Sequence, residues 1–594
     1  MDASAVHEES RKKAGGRTAG AGKKKGKSKK RVIPGFGITL GITVTMLSVL
    51  ILIPLASILV CSFRLSPAEF LEVILAENVL KAFRTSIGCA FIAAVINCVT
   101  GLLLAWVLVR YDFPCRRLMD AMIELPFALP TAVAGITLAK MCANNGMVGS
   151  IFDRFGIAIS YTKTGIVVAM VFIGIPFVVR SVQPVLEKLP SEIEEAGVML
   201  GASRRRIFFR IILPELTPAL LTGFALALAR GIGEYGSVIY ISGNSAKNGT
   251  QVVSYIIMQK LNAGSADYEG AAAIALVMLV ISFALLFIIN MIQLAAAART
   301  SGESQVGKES ANRRQSVHRG AFVLLAAAIA FFVIMLVLPL FCVIYRSLKD
   351  GLALYTSAIT AEYTLSALRV TLIAAAIAVI VNTFFGLCAS WLLSKFRFRG
   401  SRILATLIDI PYSISPVIAG LAFIMTFGRM GWASPILDAI NDFLGTDIAL
   451  VFSVPGVVLA TIFVTFPYIS RELLPVMQSQ GTDEEEAAAL MGAKGLTIFR
   501  RVTLPNIKWA LVYGIILCAA RAVGEFGAVY AVSKTRGETF TLPLEIDALY
   551  MAGSADSITQ AFAVSSLLVL VAILMLVLRQ VAEYMGNKHE RKNS

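Results

Sequence analysis

Two charged pairs stand inside apolar stretches of this 594-residue chain. Arg230 and Glu234 are four residues apart, and Arg521 and Glu525 repeat the arrangement 291 residues later. Four residues is about one helical turn, so each pair shares a helix face. Charges within a membrane span face a cavity or pair with each other. A guanidinium with a carboxylate one turn away attracts an anion without trapping it, which suits a pathway. Simple self-neutralisation against a helix face is the plainer alternative, and the two can coexist. Thr131, Ser413 and Ser415 form a second set of candidates. They lie beside Pro126 and Pro130 in one stretch, and beside Pro411 and Pro416 in the other. Interrupted helices free backbone N–H groups that can bind an anion. An ordinary kink, re-satisfied by Ser and Thr, is the competing reading.

A third feature is a polar stretch that occurs twice. The first copy has Glu195, Ala196 and Gly197, then Gly201, then Leu213 and Pro214. The second has Glu486, Ala487 and Ala488, then Gly492, then Leu504 and Pro505, at identical spacing. Each copy is basic and sits between apolar runs. A loop that need only be soluble does not require a fixed spacing, so a short helix-turn-helix that docks on a partner is expected. The glycine should end one short helix with φ > 0 and let the chain turn.

The elements that must position these residues follow from composition. Hydrophobic residues make up 57% of the chain and the mean hydropathy is +0.75, as repeated bilayer spans require. Six spans are predicted in the first half, at about 35–61, 85–109, 118–142, 164–182, 215–233 and 270–297. Six more follow at about 320–346, 366–394, 403–428, 450–470, 506–524 and 560–582. The chain therefore reads as a basic tail 1–31, a first repeat 32–297, a linker 298–319, a second repeat 320–582 and a tail 583–594. Basic loops place both termini, the linker and both repeated loops in the cytoplasm. Arg230 lies sixteen residues after Pro214. That is roughly 24 Å into a hydrocarbon core about 30 Å thick, in its outer third.

The halves match residue by residue. Pro126 corresponds to Pro411 and Gly135 to Gly420, an offset of 285. Pro176 corresponds to Pro467, Arg180 to Arg471, Gly201 to Gly492 and Arg230 to Arg521, an offset of 291. An even number of spans per half makes the repeats parallel. The expected fold is an all-α polytopic membrane protein of about twelve transmembrane helices, as two parallel six-helix repeats around a pathway.

Several function classes are disfavoured. The net charge of +16 comes largely from a lysine-rich tail without aromatic residues, so nucleic acid is not an expected partner and anionic membrane lipid is. Ala21–Ser28 fits a relaxed phosphate-loop pattern but follows no strand,. Gly231–Gly236 fits a dinucleotide fingerprint but ends a membrane helix, and Ala522 replaces its first glycine in the second half,. No ATP site is thus expected in this chain. The eight cysteines form no CxxC pair, and His7, His318 and His589 lie in tails or linker. No metal site, cofactor or proton relay is expected. Nothing resembles a nucleophile–base pair, so a membrane enzyme is disfavoured.

The repeated loops resemble the EAA loops of ABC-importer membrane subunits of type I. Glu124–Gly135, Ile175–Arg180 and Ala229–Gly236 are similar to the T-type permease of bacterial sulfate/thiosulfate importers. Phe463–Tyr468, Gly481–Glu486, Val502–Trp509 and Gly524–Ala528, followed by Arg536-Gly537-Glu538, resemble the W-type partner. The usual two chains stand here as one, and Gly197 replaces the preferred alanine. The resemblance implies a non-catalytic permease of the bacterial inner membrane. Two ATP-binding subunits, which would hold ATP and magnesium, would dock on the loops, and an extracytoplasmic binding protein would deliver sulfate or thiosulfate. Molybdate or tungstate permeases, a fused ferric-iron permease and an ion-coupled secondary transporter are the alternatives.

Overall fold

The computed structural model describes residues 33–262, 266–300, 319–429 and 431–593. The basic tail 1–31, the Ala21–Ser28 motif and residues 301–318 of the predicted linker lie outside the described residues. All regular structure among the described residues is helical. Ten helices there are long and apolar enough to cross a bilayer, and two bent pairs raise the number to twelve. The first repeat runs Phe36–Ser62, Glu77–Arg110, the pair Arg116–Ala128 and Thr131–Cys142, Lys163–Lys188, Arg204–Ile232 and Tyr268–Leu285. The second runs Phe322–Leu348, Glu362–Lys395, the pair Ser401–Ser413 and Pro416–Phe427, Val454–Ser479, Gly495–Val523 and Ala555–Gly586. These are spans one to twelve below. The result is the expected all-α polytopic fold of two six-span repeats.

Proline explains the two bent spans. The helices meet at 107° in the third span and at 105° in the ninth. A residue before proline is pushed from the helical into the extended region. Leu129, before Pro130, has ψ 129°, and Ser415, before Pro416, has ψ 130°. Proline also explains four π turns, at Ser48–Leu52, Phe208–Ile212, Val333–Val337 and Phe499–Thr503. Each is followed within two residues by Pro54, Pro214, Pro339 or Pro505. The proline cannot donate, and the amide just before it reaches back five residues, as from Leu213 to the Phe208 carbonyl and from Leu504 to Phe499,.

Spans five and eleven start earlier than their apolar runs, at Arg204 and Gly495 rather than near 215 and 506. The π turn carries the helix through Leu213-Pro214 and Leu504-Pro505, so the basic residues that read as loop form the exposed start of a span. The final helix likewise continues through the predicted tail to Asn593. Spans two, four and five pack together in the first half, as spans eight, ten and eleven do in the second. The first span of each half crosses to the other half. Phe36–Ser62 packs on spans eight and nine, and the seventh span packs on Thr131–Cys142. Ser57 and Thr426 hydroxyls meet at 2.7 Å across this seam, and Trp432 Nε1 donates to Ser57 at 2.8 Å.

Candidate functional site

Each charged pair closes on its own helix. Arg230 meets Glu234 at 2.8 Å, and Arg521 meets Glu525 at 2.5 Å. Both carboxylates are buried and also cap the next turn. Glu234 Oε1 accepts from the Ser237 amide at 2.9 Å and its hydroxyl at 3.1 Å, and Glu525 Oε1 accepts from the Ala528 amide at 3.0 Å. Each carboxylate is thus held by the backbone through one oxygen and by its guanidinium through the other.

Both arginines line one cavity of about 30 Å³ between the halves. Its fourteen lining residues form seven repeat-related pairs, among them Arg230 with Arg521, Phe127 with Tyr412 and Ile173 with Val464. A cavity lined by equivalent residues from both repeats sits on the pseudo-twofold axis. Pairing within a helix and lining a cavity therefore coexist in these arginines. The volume suffices for about two or three waters at roughly 10–15 Å³ each, far too little for a hydrated anion,.

Of the three hydroxyl candidates, Thr131 lines this cavity. It opens the helix Thr131–Cys142, and Pro416 holds the matching place in the other half. Ser413 donates to the Ile410 carbonyl at 3.0 Å, within its own helix. Ser415 is buried, donates to the Gly233 carbonyl at 2.8 Å and meets the Ser254 hydroxyl at 3.2 Å. It ties the break in the second half to the end of the fifth span in the first. Gly233 lets the two backbones approach closely, since a Cβ would lie 3.0 Å from Ser415 Cα and force a small shift.

Each repeated loop is a short helix, a turn and the start of a span. The helices are Ser191–Met199 and Asp483–Leu490; Gly197 does not prevent the first from forming. Gly201 has φ +79° and Gly492 φ +88°. The Gly201 amide bonds the Val198 carbonyl and the Ala202 amide bonds Gly197; Gly492 to Ala489 and Ala493 to Ala488 repeat this. That double bond pattern is the Schellman end, which needs a left-handed residue at the glycine position. Glu195, Ala196, Glu486 and Ala487 are exposed, Leu213 and Leu504 are half-buried, and Pro214 and Pro505 are exposed at the start of the span helices. Beside the glycines, Met199 and Leu200 are 88% and 87% exposed, and Leu490 and Met491 are 80% and 82% exposed.

The residues that seat these loops escaped the sequence reading. Glu194, one place before Glu195, meets Arg110 at 2.6 Å. Burial pushes the Glu194 carboxyl up, against the pull of Arg110. Glu485 meets Lys395 at 2.7 Å and accepts from Thr503 at 2.9 Å. Both acids match at offset 291 and both cations at 285, so pairing the two registers would have found them.

The family of binding-protein-dependent transport system inner membrane components matches the chain twice, at residues 97–301 and 382–588. The chain is 46% identical over 275 residues to the sulfate transport system permease protein CysT of Escherichia coli (strain K12), covering 46% of this chain and 98% of the relative. It is 40% identical over 277 residues to CysW of the same organism, covering 46% of this chain and 92% of the relative. CysW of Synechocystis sp. is 40% identical over 270 residues, covering 45% of this chain and 95% of the relative. Each relative is thus matched nearly whole by under half of this chain. With two family units, twelve spans and a cavity on the axis between them, the chain belongs to the binding-protein-dependent transport system inner membrane components.

Proposed function

We propose that this chain is the complete membrane path of an ATP-driven importer for sulfate or thiosulfate, with a T-like and a W-like half in one polypeptide. The observation that carries the reading is the cavity on the pseudo-twofold axis, faced by Arg230 and Arg521. Two guanidinium groups and the N-terminus of Thr131–Cys142 give a positive potential there, while Glu234 and Glu525 moderate it. A dianion is attracted without being trapped. The names of the similar permeases support sulfate as substrate.

The two repeated loops dock two ATP-binding subunits, which hold ATP and magnesium. Glu195, Ala196, Gly201, Glu486, Ala487 and Gly492 form the surface, and the exposed Met199, Leu200, Leu490 and Met491 supply apolar anchors,. Both termini lie on this cytoplasmic face of the bacterial inner membrane, and a binding protein delivers the anion at the other. The test is uptake of radiolabelled sulfate into proteoliposomes holding the chain, its ATPase and its binding protein. Uptake that needs ATP and is displaced by thiosulfate supports the reading; uptake displaced by molybdate alone replaces the substrate.

A further inference from the structure

A second cavity, of about 290 Å³, lies between the first and the repeated loops, and Arg180, Arg471 and Glu472 face it. The order along the chain is the same in both halves. On the fourth span Ile173 faces the first cavity, Phe177 both and Arg180 the second. On the tenth span Val464, Tyr468 and Arg471 repeat that order. Four aromatic residues line both cavities: Phe127, Phe177, Tyr412 and Tyr468. They are two repeat-related pairs, Phe127 with Tyr412 and Phe177 with Tyr468. Their rings touch in an unbroken line. Centroids lie 5.0 Å apart for Phe127 and Phe177, 5.9 Å for Phe177 and Tyr412, and 5.2 Å for Tyr412 and Tyr468. The middle contact joins the halves. Each of the four follows a proline directly: Pro126, Pro176, Pro411 and Pro467.

We propose that these four rings are the closed barrier of the transport path, separating a cavity faced by Arg230 and Arg521 from one faced by Arg180 and Arg471. The proposal rests on the reading that the path runs between the halves. An anion cannot exchange its hydration shell for aromatic carbon, and ring faces carry negative potential. The four rings therefore oppose an anion more than a neutral solute. The prolines supply the means of opening. Pro176, Pro411 and Pro467 lie inside their helices and each removes one backbone hydrogen bond beside its ring, so the helix bends there rather than elsewhere, while Pro126 opens the short helix Leu125–Ala128 at the break of the third span,. Parting the halves at the Phe177–Tyr412 contact breaks the line at its centre. On the loop side Arg471 lies with its guanidinium 4.3 Å from the Tyr412 ring centroid and donates to Asp409 at 2.9 Å, so the ring is braced by a cation that is itself paired.

The test uses the assembled complex in proteoliposomes without ATP, loaded in separate batches with radiolabelled sulfate and with chloride read by a quenched dye. Phe177→Ala with Tyr412→Ala should raise passive leak of both anions at least tenfold over the wild-type complex. Tyr412→Phe with Tyr468→Phe keeps four rings and should stay closed. If the alanine variant fails to insert, Phe177→Ala alone opens the Phe177–Tyr412 contact with one change and should leak likewise. Wild-type tightness to both anions in an inserted, ring-deleted complex overturns the proposal. A wild-type complex that takes up no sulfate with ATP overturns the substrate reading alone, because the chloride leak still reads the barrier.

Discussion

Tyr235 and Phe526 occupy the same place in the two repeats and stack on each other, with ring centroids 6.2 Å apart and planes 11° from parallel. Each follows its glutamate directly, so the stack lies just beyond the arginine cavity. Both rings are buried. The axis relating the halves passes between them, and they bind one half to the other. An aromatic pair contributes about 0.5–1.5 kcal/mol beyond its burial. Phe526→Leu, which keeps the apolar volume, should lower unfolding stability by about 1 kcal/mol. A double-mutant cycle with Tyr235→Leu should return a coupling of that size; additive losses would show that the rings do not interact.

The arginine cavity gives a charge test. Arg230→Gln with Arg521→Gln should abolish sulfate uptake in a complex that still inserts, and lysine at both positions should restore part of it. Normal uptake in the double glutamine variant would leave these charges with only a structural role. Glu234→Ala should behave differently, since it also removes the cap on Ser237 and leaves Arg230 without its partner. Breaking a buried pair costs about 3–5 kcal/mol, so the measured result should be poor insertion rather than slow transport.

The loop glycines give a coupling test. A side chain in the left-handed region costs roughly 1–2 kcal/mol. Gly201→Val or Gly492→Val should therefore distort the turn while the spans insert. ATP hydrolysis by the complex should persist as sulfate uptake falls. Uptake at the normal rate in both variants would remove the loops from the coupling step.

Seating of the second loop can be examined at Lys395. Its side chain is fully buried, it meets Glu485, and it donates to the Gly481 carbonyl at 2.6 Å. Lys395→Met should weaken binding of the ATPase by at least tenfold in a pull-down, because Glu485 is left buried without its cation. Adding Glu485→Gln should recover much of that loss. No change in either variant would mean the ion pair does not hold the loop.

Asp547 predicts a pH dependence. Its carboxylate accepts from the Tyr240 hydroxyl at 2.7 Å across the two halves. Burial raises its pKa from 3.8 to about 6, against the lowering pull of the Tyr240 hydrogen bond. A raised carboxyl contributes stability that is full below pH 3.8 and is lost as pH rises through about 6,. Each unit is worth about 1.4 kcal/mol, so Asp547→Asn should stabilise the protein by roughly 2–3 kcal/mol at pH 7.5 and by little at pH 4. Thermal unfolding at the two pH values checks this; equal shifts at both would contradict it.

How much could be read beforehand depended on whether a partner lay in the same repeat. The prolines at 130 and 416 announce their bends because the steric rule is local to the chain. Arg230 and Arg521 are visible as a repeated pair in apolar surroundings. That they share one cavity is not visible, since a parallel repeat fixes equivalence and not distance. For Ser415 the sequence leaves an anion ligand and a kink brace both open, because nothing in its own half reveals Gly233 as its acceptor. The basic starts of spans five and eleven were read as loop because charge hides a helix that a π turn prolongs. Glu194 and Glu485 escape notice beside their exposed neighbours Glu195 and Glu486, although the half-buried Glu194 and the buried Glu485 meet the cations that seat the loops.

One contact breaks the symmetry of the halves. Glu124 is bonded by Arg180 at 2.6 Å from its own half and by Arg579 from the last helix of the other. Arg579 also lies 4.6 Å over the Tyr513 ring. Counted from the Ala-Gly-Ser-Ala-Asp shared at 263–267 and 552–556, the place of Arg579 in the first half belongs to Asn290. Two first halves brought together would therefore deny each Glu124 its second guanidinium, a buried deficit that only the unlike half corrects. As separate polypeptides, the halves would meet like and unlike partners at random and sort by that penalty. Joined in one strand, they find the unlike partner at an effective concentration on the order of millimolar, so this uneven contact can persist without selecting against wrong dimers.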